Sequence, residues 1–98
     1  MYILRCADGT LYTGWTNNLK KRLAAHNAGT ASRCTRARRP VELVYFEPRA
    51  DRSDALRREA EIKTFTRPRK LALAAAADGP RRAEIAALNA RAEQEGGQ

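Results

Sequence analysis

The dipeptide Asp8-Gly9, set between two short apolar and β-branched runs, constrains this chain more than any other feature. Tyr2-Ile3-Leu4 and Leu11-Tyr12-Thr13 flank it, an arrangement that signals a β-hairpin. Each arm carries one tyrosine, so the register of the hairpin decides whether the two phenols can meet. A two-residue Asp8-Gly9 loop pairs Cys6 with Leu11, and strand alternation then sends Tyr2 and Tyr12 to opposite faces. A three-residue Ala7-Asp8-Gly9 loop, with Gly9 left-handed in a G1 bulge, pairs Cys6 with Thr10 and puts both tyrosines on one face. Dipeptide preference favours the first loop, and the residues by themselves leave both open.

After the hairpin, Thr16 reads as an N-cap for a helix over 17–26 that ends near Asn27 and Gly29. At about 100° per residue, Leu19 and Leu23 form its buried stripe, Arg22 and His26 lie along the edge, and Lys20 and Lys21 point away. From spacing alone, Arg22 is equally a boundary arginine laying its stem over the core, and His26 a partly buried, hydrogen-bonded histidine. Residues 28–40 show no hydrophobic period and carry Arg33, Arg36, Arg38 and Arg39, which predicts a basic loop suited to phosphate oxygens. Val41 to Glu47 alternates and is β-branched and aromatic enough for a third strand.

Helical period returns over 51–66, with Asp51 or Ser53 as N-cap and a face made of Ala55, Leu56, Ile62 and Thr66. Glu59 falls in the middle of that face and Lys63 at its margin. An ionised glutamate there needs a compensating cation, either a metal or an internal pair with Arg22 or Lys63. Arg67-Pro68 interrupts this helix, Pro68 being suited to the first turn of the next one, Arg69 to about Ala77, and Asp78-Gly79-Pro80 stops that one. The rest, with only Ile85 and Leu88 as large apolar residues, predicts a loosely docked helix fraying into a Gly96-Gly97 tail.

Composition narrows the function classes. Ninety-eight residues make one small domain, and the net charge of +8, carried mostly by arginine, points to a polyanionic partner. Cys6 and Cys34 lack the neighbours of a zinc site or a disulfide framework, which suits a reducing, cytoplasmic compartment. The longest apolar run, Leu71 to Ala77, is too short to span a bilayer, so no membrane partner is expected.

Tyr2, the triplet Tyr12-Thr13-Gly14, Arg22 and His26 on one helix, and Glu59 with Ile62-Lys63 on another together resemble the GIY-YIG nuclease superfamily, in particular its small single-domain UPF0213 branch. The likeness covers about residues 1–73 in order and spacing. It implies an α+β fold in which helices flank a three-stranded antiparallel sheet, in the order β-β-α-β-α-α plus a C-terminal helix. Residues 1–77 then form the nuclease-like domain and 78–98 an Ala/Arg/Glu-rich helix and tail.

Carried over by position, Tyr2 and Tyr12 resemble the tyrosines of the two triplets, Arg22 the arginine that grips the scissile phosphate, and Glu59 the ligand of a single Mg²⁺ or Mn²⁺. His26 matches a position near the site, and Lys63 adds positive charge that favours a phenolate. The likeness assigns Tyr12 as general base, with His26 as competitor or proton relay. It also requires both tyrosines on one face, and so selects the bulged loop.

The implied activity is metal-dependent endonucleolytic hydrolysis of DNA, in repair or processing, with a protein partner for targeting. The alternative is a nucleic-acid-binding module of the same fold that cuts weakly or not at all. Three features support the alternative: the first triplet lacks its glycine, the first strand starts abruptly with Met1 where the isoleucine belongs, and 98 residues hold no second DNA-binding domain for targeting. Cys34 stands where relatives often carry an aromatic, which argues against base stacking by the basic loop. The abrupt start predicts either a short edge strand or a start upstream of Met1.

Overall fold

The computed structural model describes residues 1–96, with side chains through Arg91, so the Gly97 end of the anticipated tail lies outside the described residues. Strands β1 (Tyr2–Arg5), β2 (Leu11–Gly14) and β3 (Glu42–Phe46) form one antiparallel sheet in the order β2-β1-β3. The first strand is therefore central, not the edge strand anticipated from its abrupt start.

The hairpin adopts the bulged loop. Tyr2 pairs with Gly14, Ile3 with Thr13, Leu4 with Tyr12 and Arg5 with Leu11. Beyond them the Cys6 N–H donates to the Thr10 carbonyl at 2.8 Å and the Gly9 N–H to the Cys6 carbonyl at 2.9 Å. Dipeptide preference fails here for a physical reason. A type I′ turn needs positive φ at both central residues, and here only Gly9 has it, at +86°, while the Asp8 carboxylate is engaged with its neighbours. Its Oδ1 accepts the Thr10 N–H at 2.9 Å and its Oδ2 the Arg38 guanidinium at 2.9 Å, while Arg67 donates to the Gly9 carbonyl.

Helices α1 (Leu19–Ala28), α2 (Arg33–Arg36), α3 (Arg52–Lys63), α4 (Arg67–Ala75) and α5 (Gly79–Gly96) complete the chain. They cover the sheet on both sides. Tyr2, Leu4 and Leu43 face Leu19 and Leu23 of α1 and Ile85 and Leu88 of α5. Ile3 and Tyr45 face Ile62 of α3 together with Phe65, Leu73 and Ala74. A bulge in the β1–β3 pairing, where Ile3 meets Tyr45 but Leu4 meets Leu43, lets one continuous apolar strand serve both layers.

Several helix boundaries differ from the sequence expectation. The N-cap of α1 is Asn18, whose side chain accepts the Lys21 N–H, and not Thr16, whose hydroxyl accepts the Asn18 N–H at 3.0 Å in a turn just before it. Gly29 ends α1 in the left-handed conformation, as its sequence position suggests. The basic loop contains one helical turn, α2, because Ser32 caps it.

Asp51 caps α3, but Leu56 is 37% exposed and Thr66 caps α4 instead of continuing α3. The buried stripe of α3 is thus narrower, formed by Ala55 and Ile62.

The last helix is docked, not loose. Asn89 accepts the Leu43 N–H at 2.7 Å and donates to the Leu43 carbonyl at 2.9 Å, occupying the open edge of β3. Arg81 donates to the Phe46 carbonyl at 3.0 Å and lies over the Phe46 ring. A count of large apolar residues misses this docking because an amide side chain supplies much of it.

Candidate active site

The site begins with a glycine. Gly14 sits directly across from Tyr2, and a Cβ at Gly14 would lie 2.7 Å from the Tyr2 hydroxyl and 3.1 Å from the Tyr12 ring. Only a residue without a side chain lets the Tyr2 phenol lie across β2. The bulged register then brings Tyr12 alongside, with ring centroids 6.3 Å apart.

One turn beyond Leu23 of α1, His26 completes a triangle with the two rings and meets each edge-to-face, 5.8 Å from Tyr2 and 5.2 Å from Tyr12. Its Nε2 is 2.9 Å from the Tyr2 hydroxyl, and its Nδ1 is 2.8 Å from the Thr35 hydroxyl of α2. Tyr2, His26 and Thr35 are all buried, whereas Tyr12 is half-buried.

Burial sets the protonation of this chain. It pushes the Tyr2 phenol well above its ordinary value of 10, an effect that the nearby Tyr12 reinforces and Arg22 opposes. Burial first and the Arg22 charge second push His26 down to about 4. Both groups are therefore neutral near pH 7.

Arg22 stands one turn before His26, exposed, and among the described residues its guanidinium has no ion-pair partner. Its charge reaches both Tyr2 and His26.

Glu59 projects from α3, which packs against β2, and its negative charge also acts on Tyr2. Of the two internal pairings that spacing allows for Glu59, the structure makes the one to Lys63, at 3.4 Å, with the glutamate side chain 17% exposed and the lysine 55%. Among the described residues no three His, Cys, Asp or Glu side chains gather as a metal-binding group. A cation on Glu59 would take its remaining ligands from water and phosphate oxygens, the coordination that suits Mg²⁺.

The four arginines expected to meet phosphates divide into two pairs. Arg38 donates to Asp8 and to the Cys34 carbonyl, and Arg39 to the carbonyls of Arg36 and Asn27. Those guanidiniums hold the loop together, while Arg33 and Arg36 are exposed on α2.

Beside Tyr2 opens a groove of about 610 Å³, lined in part by Trp15, Leu19, Pro48 and Arg52. The Arg52 guanidinium lies 5.6 Å from the Trp15 ring centroid. Neither this pair nor Thr35 was singled out from the sequence. Thr35 sits in a stretch without period, and only the Gly29 turn brings it back to His26.

Comparison with known proteins bears on the whole arrangement. The family model described as "GIY-YIG catalytic domain" matches residues 1–72. A UPF0213 protein of Staphylococcus haemolyticus is 54% identical over 71 residues, covering 72% of this chain and 87% of that protein. A UPF0213 protein of Clostridium perfringens is 55% identical over 73 residues, 74% of this chain and 78% of the other. One from Bacillus pumilus is 54% identical over 69 residues, 70% of each. No solved structure matches. A helix-covered three-stranded sheet that joins two tyrosines across a glycine is thus the setting of a nuclease-type domain, and the chain belongs to the GIY-YIG family.

Proposed function

We propose that the protein is a divalent-metal-dependent endonuclease that hydrolyses DNA phosphodiester bonds at the Tyr2–Tyr12–His26 cluster. The observation that carries this reading is the convergence of the two tyrosine rings on His26, within reach of the Arg22 and Glu59 charges.

Phosphodiester hydrolysis needs a base for the attacking water, countercharge for the transition state and help for the leaving oxygen. Arg22 offers planar, permanently charged donors to the nonbridging oxygens, and among the described residues no carboxylate pairs with it. Tyr12 is the cluster's half-buried phenol and takes the proton of the attacking water. Tyr2, buried and strongly disfavoured as a phenolate, cannot fill that role. Glu59 would hold the cation, Mg²⁺ or Mn²⁺, in place of its pairing with Lys63. When bound, the cation stabilises charge on the leaving oxygen. Lys63, on the same helix as Glu59, would add positive charge to the site. Arg33 and Arg36 grip backbone phosphates away from the scissile bond. Such a domain would serve DNA repair or processing in the cytoplasm, brought to its sites by a protein partner.

Purified protein incubated with supercoiled plasmid and Mg²⁺ or Mn²⁺ should nick it, and Glu59→Ala, Arg22→Ala and Tyr12→Phe should each lose at least about a hundredfold in rate. Undiminished nicking by Glu59→Ala or Tyr12→Phe would sink the assignment.

The Glu59–Lys63 pair supports a second reading. If that pair persists, the domain binds nucleic acid without cutting it. Binding with a steep salt dependence but no cleavage under either metal would favour this reading.

A further inference from the structure

The hydrogen bonds around His26 run in one direction. His26 is the chain's single histidine, and both ring nitrogens are engaged, Nδ1 by Thr35 and Nε2 by Tyr2. A neutral imidazole carries one proton, so exactly one of these two contacts has His26 as donor. Thr35 breaks the symmetry. Its hydroxyl also faces the Ser32 carbonyl, three residues back, at 3.5 Å, a carbonyl being able only to accept. With the Thr35 proton on that carbonyl, its oxygen is left to accept from Nδ1–H. Nε2 then has a lone pair to offer, and the Tyr2 hydroxyl donates to it. All three residues are buried, so no solvent competes for these bonds.

From this geometry we infer that Thr35 is a positioning residue. It holds His26 as the Nδ1–H tautomer, so that Nε2 accepts the Tyr2 hydroxyl and the ring supporting Tyr12 is fixed in place. One side chain on α2 thereby ties α1 to β1 and sets the base on which Tyr12 and Arg22 stand. The capped turn of α2 has this second use, since Ser32 both caps the helix and orients Thr35. The part of the inference that concerns rate rests on the nuclease reading; the tautomer does not.

Two measurements test it. In ¹⁵N-histidine-labelled protein at pH 7, His26 should show a protonated Nδ1 and an unprotonated Nε2, and Thr35→Val should abolish that pattern while Thr35→Ser keeps it. In the nicking assay Thr35→Val should lower kcat by about tenfold or more with KM little changed. Thr35→Ser should restore most of the rate, and circular dichroism should show both variants folded. An Nε2–H tautomer in the unmodified protein would overturn the inference. So would a folded Thr35→Val that keeps the wild-type spectrum or the wild-type kcat. If the unmodified protein cuts nothing, the nuclease reading fails, and the nitrogen spectra still decide the tautomer.

Discussion

At the scale of single residues, the site depends on close approaches that tolerate little change. Gly14→Ala would push a methyl group into the Tyr2 phenol. It should cost about 1–3 kcal/mol and weaken the Tyr2–His26 bond, seen as a lower Tm together with a shifted His26 nitrogen resonance. Thr13 presents the opposite case. Its hydroxyl is buried, and among the described residues it has no hydrogen-bond partner. Thr13→Val removes that unpaired group at nearly constant volume and should stabilise the fold by about 1 kcal/mol, raising Tm by roughly 4 °C or more. A lower Tm would mean that the hydroxyl has a partner in solution. The tyrosines, Arg22, His26 and Glu59 stand out in the chain only through their resemblance to a family motif, because spacing alone gives Arg22, His26 and Glu59 structural readings as well. Thr35 does not stand out, because a threonine in an aperiodic basic stretch has no signature until the fold returns it to His26.

At the scale of elements, the hairpin loop and α5 each turn on one polar side chain. In the sequence Asp8 is only half of a turn dipeptide, but in the fold it accepts from Thr10 and binds Arg38, and those bonds come with the bulged register. Register in turn puts both tyrosines on one face. Asn89 likewise does for β3 what a fourth strand would do. Asn89→Ala should cost about 1–3 kcal/mol for its two lost bonds and should speed hydrogen exchange most at the Leu43 amide. Unchanged exchange there would show that α5 does not cover this edge in solution. Strand and helix identities were readable from hydrophobic period and caps. Boundaries moved by up to three residues where a neighbouring Asn, Ser or Thr offered the better cap.

For the molecule as a whole, two global responses follow from charge and burial. His26 titrates near 4 when folded and 6.5 when free, so the unfolded chain binds its proton first as pH falls. Stability should therefore be at its full value above about 6.5 and decline toward about 4, by up to about 1.4 kcal/mol per pH unit from this group. His26→Gln should flatten that part of the profile, as measured by denaturant melts across pH. The net charge of +8 predicts nucleic-acid affinity that falls steeply with salt. Arg33→Glu with Arg36→Glu should reduce the slope by about 2, whereas Arg39→Ala should mainly lower Tm, because its guanidinium bonds the loop's own carbonyls.

By itself the sequence determined the class of fold, the order of its elements and the residue types of the site. The first two follow from local periodicity and turn chemistry, and the candidate residues from the family motif they resemble. Tertiary structure decided which groups meet. It chose the hairpin register, took Arg38 and Arg39 for internal bonds, paired Glu59 with Lys63, and brought Thr35 and Asn89 to their partners. Those choices depend on burial and on hydrogen-bond partners distant in the chain, and neither is set until the sheet and its two helical layers have closed around them.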